Sequence, residues 1–529
     1  MNLLKHSYAL AFATLLSRLL GLIRVRLEAS VLGGGAIASA WFLAFSIPNL
    51  FRRLLGEGAL AAALTPLIAE IEAQNGPEKA KKELAVVFLY LSLILVVIVL
   101  LCSGGAILLR HLAEQNQWSY FLERRMNLAL QLLPLLMPYA FFMCLIGAAT
   151  AILNYAKLFF LPALGALLLN IFLISGLYFG MRLEISGEQL ILYLPILSLL
   201  VLSSGLMQLI LTFALLAFCG HFPKFSLKTL RGSTIIKNLF SLALPGLLGA
   251  SALQVSFLVD RLLAERIGDQ AVPALTYVDR LVDLPIGVFA IAIGSVLMAS
   301  MTRAAAENNI KALEEELVFS LRHVYFCCIP MALAVVIFHE PLLRALCLGG
   351  NYTLSDLQSA KMVAVFYGAG IPAFCSLKVI LPAFYARKQV YRPLFASLTA
   401  ILVNITLNLI LMQYLKQGGI ALATVIASLV HNGLLLLLLK KDGIAFSPGK
   451  LLYPAVRGVV LAAFSGGTLY WLYHRFLEQK VLAIRSADIT ATCAVVGTMG
   501  VLYLLLAFFC KAKEPAEMFA AFRKKREKK

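Results

Sequence analysis

The stretch SIPNLFRRLLGEGALAAALTPLIAE, residues 46–70, sets Arg52, Arg53 and Glu57 inside an otherwise apolar run. A charge at the centre of a bilayer helix costs roughly 2.5–3.5 kcal/mol on insertion scales. Three charges in one such run therefore mark either a soluble amphipathic helix or a membrane helix whose charges have a use. Composition decides between the two. Of 529 residues, 61% are hydrophobic and only 14% are charged, and the mean hydropathy is +0.88. Soluble domains carry about 25% charged residues. The chain reads as an all-α integral membrane protein.

Apolar runs long enough to cross a bilayer, around 20 residues each, number about fourteen: 7–31, 36–70, 84–109, 128–153, 160–180, 189–219, 234–266, 271–303, 316–338, 358–385, 393–415, 418–439, 454–473 and 488–510. Strand-type alternation is absent, which excludes an outer-membrane barrel. The net charge of +19 does not point to nucleic acid, because it is distributed by topology. With the N-terminus inside, about 27 Lys and Arg fall on the inner side and about 10 on the outer, as the positive-inside rule requires. Lys79, Lys81, Lys82, Lys224, Lys228, Arg231, Arg387, Lys388 and Arg392 sit in inner loops, and FRKKREKK closes the chain. Both termini and the 71–83 loop are expected in the cytoplasm and the 110–127 loop outside. The basic tail is expected to touch anionic membrane lipid. The nine cysteines lie in or beside spans and form no metal-spaced set; Cys327 and Cys328 read as packing residues. Arg18, Arg24 and Arg26 interrupt the first apolar segment, which reads as an uncleaved helix and not a signal peptide.

An internal repeat appears on shifting the sequence by 237 residues. Arg24 then meets Arg261, Glu28 meets Glu265, Pro48 meets Pro285, Thr65 meets Thr302 and Glu70 meets Glu307. Both copies begin on the same side, so the repeat is parallel, and parallel halves are related by an axis along the membrane normal with the substrate site between them. The expected organisation is two six-helix lobes, 1–222 and 223–442, then two further helices in 443–511 and a basic tail at 512–529. This is the plan of an alternating-access transporter.

The membrane-depth charges collect on equivalent helices of the two halves: Arg18, Arg24, Arg26 and Glu28 on the first; Arg52, Arg53 and Glu57 on the second; Asp260, Arg261 and Glu265 on the seventh; Asp279, Arg280 and Asp283 on the eighth. Arg24–Glu28, Arg53–Glu57, Arg261–Glu265 and Asp279–Asp283 are spaced i,i+4, which stacks side chains on one helix face. Structural ion pairing would account for Arg261–Glu265. It does not account for the first two helices, where five arginines face two glutamates. Excess arginine at membrane depth calls for an anion, and its planar donor fork suits phosphate. A phosphorylated or pyrophosphorylated lipid carrier meets that need. Small residues in GEGA (56–59) allow close approach, and Pro48 and Pro285 are expected to bend their helices.

LLSRLLGLIR (15–24), AFSIPNLFRRLLGEGALAAALTPLIAE (44–70), YVDRLVDLPIGVFAIAIGSVLMAS (277–300), GGNYTLSD (349–356) and KVILPAFYARKQVYRP (378–393) together resemble the MurJ/MviN lipid II flippases of the MOP exporter superfamily. The resemblance runs over nearly the whole chain. It implies fourteen spans, two lobes and a central cationic cavity. It implies a bacterial cytoplasmic (inner) membrane protein that moves lipid II, the undecaprenyl-pyrophosphate-linked disaccharide-peptide, to the outer face. On that resemblance Arg18, Arg24, Arg52, Arg53, Glu57, Asp279 and Arg280 line the cavity, with Arg26, Glu28, Arg261, Glu265 and Asp283 supporting its charge. The last two spans would form a groove for the polyprenyl tail, and cell-wall synthesis proteins are expected partners. One residue departs from the family: Ser39 stands where an aspartate is common, which leaves Glu28 as the candidate to supply the missing carboxylate.

Asn404, Asn408 and Thr424 form a second candidate site, for Na+; interhelical hydrogen bonding is the alternative reading. No P-loop, nucleophile–base pair or metal set appears, and the histidines at 6, 111, 221, 323, 339, 431 and 474 are scattered. The expectation is therefore a transporter with no catalytic residues and no cofactor, driven by a Na+ or H+ gradient or the membrane potential. The alternatives are another polyprenyl-linked oligosaccharide or drug exporter of the superfamily, or a multi-span polyprenyl-phosphate transferase. The arginines argue against a cationic drug.

Overall fold

The computed structural model describes every residue except 1, 57–58, 159, 225–232, 288–300, 302–303, 306, 308, 388, 390, 445–446, 448, 478–484 and 518–529. Glu57 and most of the basic tail thus lie outside the described residues. The described chain is built of helices, with one isolated bridge between Gly349 and Tyr352. This follows from the solvent: in hydrocarbon every backbone polar group must be satisfied within the protein, and a helix does so within one segment.

Ten described helices are long and apolar enough to cross a membrane. Of the fourteen expected spans, the four missing from that set are 7–31, 36–70, 234–266 and 271–303, the last described only in part. They are the four that carry the membrane-depth charges, and among the described residues they are helical over Asn2–Leu32, Ala36–Phe51 with the turn Arg52–Gly56, Ala59–Asn75, Ile235–Ile267 and Ala271–Pro285.

The chain divides into two compact units. The first comprises Met1–Pro273 and Gly349–Thr353. Its helices are α1 (Asn2–Leu32), α2 (Ala36–Phe51), α3 (Ala59–Asn75), α4 (Pro77–Asn116), α5 (Ser119–Leu122), α6 (Arg124–Leu136), α7 (Pro138–Tyr155), α8 (Phe160–Arg182), α9 (Glu188–Phe218) and α10 (Ile235–Ile267). The expected lobe boundary at 222 follows the sequence repeat, whereas packing carries the unit on to Pro273, because α10 lies against α2, α3 and α4. The expected 71–83 loop is largely helical: Gly76 at φ +81 makes the turn and Pro77 opens α4. The expected span 128–153 is two helices, α6 and α7. Pro138 has no N–H to continue the α6 ladder, so the chain restarts there.

Unit 1 is cored by Leu64, Leu84, Cys144, Ala148, Ala149, Ile152 and Leu216, with Leu239 and Ala243 of α10 added. Lipid tails are as apolar as leucine, so such helices are held by close contact, and small residues permit it. The five residues Gly349–Thr353 join this unit through Asn351. Its backbone N–H donates to Ser30 O at 2.8 Å. Its side-chain amide donates to Val31 O at 2.7 Å and Ile185 O at 3.3 Å. These bonds satisfy carbonyls that the last turn of α1 leaves open. Gly33 is at φ +75, and a Cβ there would lie 2.7 Å from Asn351 O. Gly350, at φ +60, would press its Cβ into the Ser30 carbonyl.

The second unit comprises Ala274–Leu348 and Leu354–Lys529. It holds most of α11 (Ala271–Pro285), and α12 (Ile310–Ile337), α13 (His339–Cys347), α14 (Leu354–Ala386), α15 (Tyr391–Leu415), α16 (Gln417–Lys441), α17 (Gly449–Leu472) and α18 (Arg485–Phe509). α12 packs on α14 and α17, α16 on α14 and α15, and α18 on α17. Phe326, Phe338, Tyr473, Met499 and Tyr503 pack into one core, and the Tyr503 hydroxyl donates to Phe326 O at 3.0 Å. A helical turn at 513–517 docks beside it. Buried Glu514 accepts from Arg457 at 2.5 Å, and Glu517 pairs with Arg322. Phe464, Trp471, Phe508 and Phe509 remain exposed on α17 and α18, as a lipid-facing surface requires.

Candidate substrate-binding site

The site begins at a change of helix type. Pro48 lies inside α2 and lacks an N–H, and the helix gives way three residues later to a π-helical turn, Arg52–Gly56. Single π turns within helices gather at functional sites. This one carries Arg52 and Arg53, and α3 is described from Ala59.

Arg24 is buried on α1 at 7% exposure. Its Nε lies 3.3 Å from Glu28 Oε1, the i,i+4 pair expected from spacing. Its Nη1 donates to Asn170 Oδ1 on α8 at 3.0 Å, and Asn170 Nδ2 donates back to Ser17 O at 3.2 Å. Arg52 Nε donates to Asn49 Oδ1 at 2.8 Å. Arg53 Nη1 donates to Gln254 Oε1 on α10 at 3.3 Å, and its guanidinium lies 5.9 Å from the Phe257 ring centroid. Arg18 and Arg26 are half-buried on α1, and Asp260 is buried on α10. Asn170 and Gln254 were not among the residues expected from sequence. Each is an amide in an apolar run, LLLNIFLISG (167–176) and SALQVSFLVD (251–260), and intramembrane polarity is the signal that could have found them.

Glu265 departs from expectation. It is fully buried, yet its partners are not on its own helix. Arg125 Nε donates to Oε1 at 2.7 Å and the Tyr120 hydroxyl to Oε2 at 2.5 Å. Arg125 also reaches Asp269 and Glu123, each at 2.6 Å. Burial works against the charged guanidinium, but the bonds from Glu265 and Asp269 outweigh it and hold the Arg125 pKa above its ordinary value. Burial, then the Glu265 hydrogen bond, pushes the Tyr120 hydroxyl up to about 12, so it stays a donor. Tyr120, Glu123, Arg125 and Arg266 line a cavity of about 470 Å³ beside this cluster. Glu265 thus ties α10 to the α5–α6 segment.

In unit 2, Asp279 and Arg280 are half-buried on α11. Asp283 is exposed, and one of its oxygens lies 3.9 Å from Arg280 Nη1, three residues earlier on the helix. Asn404, Asn408 and Thr424 do come together. Asn408 Nδ2 donates to Asn404 Oδ1 at 3.1 Å, Asn404 Nδ2 to Thr424 Oγ1 at 3.3 Å, and Thr424 Oγ1 to Ile420 O at 3.0 Å. The Asn404 and Thr424 oxygens accept bonds within this chain, and the Asn404–Thr424 bond joins α15 to α16. Ser39 is buried on α2, its hydroxyl has no hydrogen-bond partner among the described residues, and α2 packs chiefly against α6, not α1.

The described chain is thus a set of membrane-length helices with one buried arginine, Arg24, and half-buried arginines at positions 18, 26, 52 and 53. The family model described as lipid II flippase MurJ matches residues 28–486. The chain belongs to the MurJ lipid II flippase family. A probable lipid II flippase MurJ of Rhizobium tropici is 30% identical over 511 residues, covering 96% of this chain and 92% of the relative. The lipid II flippase MurJ of Burkholderia cenocepacia is 28% identical over 478 residues, covering 89% and 90%. Among solved structures, a lipid II flippase MurJ in an inward closed conformation matches with a TM-score of 0.75 at 23% identity, over 95% of this chain and 98% of that one. An inward-facing MATE multidrug transporter of the MOP superfamily matches at 0.63 and 15% identity, over 82% and 98%. This MurJ-family chain is therefore a multi-pass membrane protein of a transporter family, with the MOP fold.

Proposed function

We propose that this protein moves lipid II across the cytoplasmic membrane, with the unit 1 arginines receiving its pyrophosphate. The observation that carries the reading is Arg24: a guanidinium at 7% exposure on a membrane helix, held in place by Glu28 and Asn170. Arg52 and Arg53 follow on the π turn. Buried arginine forks suit bidentate phosphate contacts. The exposed apolar faces of α17 and α18 support a lane for the polyprenyl tail. The termini are on the cytoplasmic side, by the positive-inside count. Turnover is driven by a Na+ or H+ gradient or the membrane potential.

The test reconstitutes the full chain in vesicles with lipid II and follows its appearance in the opposite leaflet. Wild type should move lipid II. Arg24→Ala and Arg53→Ala should reduce movement to background while inserting and melting like wild type. Equal movement of a lipid-linked sugar lacking the pyrophosphate, or normal activity of both variants, defeats the reading.

A further inference from the structure

Just beyond α18 the chain makes a short helical turn, residues 513–517, that fastens it to two other helices of unit 2. Buried Glu514 accepts from Arg457 Nη2 of α17 at 2.5 Å and lies 3.6 Å from Arg322 Nε of α12. Glu517 pairs with Nη2 of the same Arg322 and lies 3.4 Å from His323 Nε2. We infer that Glu514 and Glu517 are positioning residues for the polyprenyl tail of the cargo: they strap the end of α18 to α12 and α17, and so fix the lane along the exposed faces of α17 and α18. This inference rests on the proposed handling of lipid II.

The need for a strap follows from how α18 is held. Val495, Met499, Tyr503 and Ala507 are buried, one every four residues, which makes a stripe along the helix. Val501, Leu504, Leu505, Phe508 and Phe509 around that stripe are exposed. A helix seated on one stripe among equally apolar lipid tails has little to stop it from rolling, because no hydrophobic force draws helix to helix in a bilayer. Ion pairs act differently. Moving Glu514 away from Arg457 and Arg322 would strand a buried charge, which is far more costly than sliding one apolar side chain past another. The arginines are held ready for it. The Arg322 guanidinium lies 5.9 Å from the Phe319 ring centroid and that of Arg457 lies 5.7 Å from Tyr453, and both side chains are mostly buried. The two carboxylates stand three residues apart, on one face of the turn, so a single docking satisfies both. A long prenyl chain lying over α17 and α18 touches both faces and so feels their spacing; a short one touches little of either.

The test uses the full-length chain in vesicles and lipid II carrying tails of increasing isoprene number, from farnesyl to undecaprenyl. Two variants loosen the strap. Glu514→Gln with Glu517→Gln removes both carboxylates. Glu514→Gln with Arg457→Gln removes both members of the central pair, and leaves no stranded charge if the first variant fails to fold. Amide hydrogen exchange over residues 511–517 reports the loosening and should speed up by about tenfold in either variant. Wild type should move lipid II faster as the tail lengthens. The variants should move the farnesyl form at the wild-type rate and the undecaprenyl form about tenfold more slowly, a scale on which misplacing a bound group slows a reaction. Equal loss at every tail length overturns the inference, because it would make the strap a general fold contact. So do unchanged exchange in the variants, a wild-type undecaprenyl rate in a variant whose strap has loosened, and a wild type indifferent to tail length. Those results leave the arginine-based reading standing. A wild type that moves no lipid II defeats the function, and the inference with it.

Discussion

Removing Arg125 should cost more stability than removing the charge of the carboxylate it serves. Glu265 is fully buried and takes two bonds, from Arg125 and Tyr120. The Arg125 side chain is itself only 14% exposed, whereas its other partners, Glu123 and Asp269, are 45% and 56% exposed. Exposed pairs contribute about 0–1 kcal/mol, so the Glu265 arm dominates. Arg125→Ala leaves a buried carboxylate with a phenol alone, and breaking a buried pair from one side costs about 3–5 kcal/mol. Glu265→Gln keeps an oxygen that both donors can reach and should cost about 1–2 kcal/mol. The double variant removes the stranded charge and should be more stable than Arg125→Ala by at least about 1 kcal/mol, a non-additivity that only direct coupling produces. Cys144, Cys328 and Cys347 are buried free thiols, so a thiol-reactive dye reports melting in detergent without added labels. The order of midpoints should be wild type, Glu265→Gln, double variant, Arg125→Ala. A double variant that melts below Arg125→Ala refutes the reasoning, because it would mean that the two residues contribute independently.

Gly350→Ala should lower the melting midpoint by the equivalent of about 2 kcal/mol or more, since φ +60 disfavours a side chain and the new Cβ would meet the Ser30 carbonyl; a wild-type midpoint would show that the 349–353 loop can move away at no cost. Asp442 is half-buried, which would raise its pKa, but the Arg392 bond, the Gln389 bond and the Arg387 charge outweigh burial and hold it below its ordinary 3.8. Its stabilisation is therefore present above that ordinary value and is lost as pH falls through the lower folded-state one; the midpoint gap between wild type and Asp442→Asn should be open at pH 7 and close on acidification, and a gap independent of pH contradicts the assignment. Ser39→Ala should change stability by less than about 0.5 kcal/mol and leave lipid II movement intact, because the buried hydroxyl has no bond to lose; a variant that inserts normally but transports nothing would show that Ser39 meets substrate in another conformation.

The fold was legible because hydropathy is nearly a one-dimensional signal in a membrane. All fourteen apolar runs are read from their length and composition, and ten of them correspond to described helices long and apolar enough to cross a membrane. Local pairs were legible in part. Arg24–Glu28 forms as spacing suggests, since i,i+4 neighbours stack on one helix face. Glu265 does not follow the same rule, because a buried carboxylate takes the best cation in reach, and Arg125 arrives from another helix 140 residues away in sequence. No periodicity encodes that meeting. The amide partners were missed for a different reason. Asn and Gln carry no charge, so a search for charge passes over them, although each sits in an apolar run where a polar group is as conspicuous as an arginine. The Pro138 break was readable from its missing N–H, yet continuous hydropathy across 128–153 concealed it.

Why an adjacent pair of arginines can be carried on the second span follows from its backbone. Pro48 has no N–H, so the Ala44 carbonyl one turn earlier loses its helical partner. The Arg52 N–H still donates to the Asn49 and Pro48 carbonyls, so backbone pairing runs on from α2 into the π turn, Arg52–Gly56. The polar backbone around the arginines is thus satisfied within the segment, as hydrocarbon requires, and the guanidinium groups are left to side-chain partners such as Asn49 and Gln254. Pro285, the counterpart of Pro48 under the repeat, is the last residue of α11. Only in the first half does an adjacent pair of arginines follow the proline within five residues, and that asymmetry is why the proposed pyrophosphate contact is assigned to unit 1.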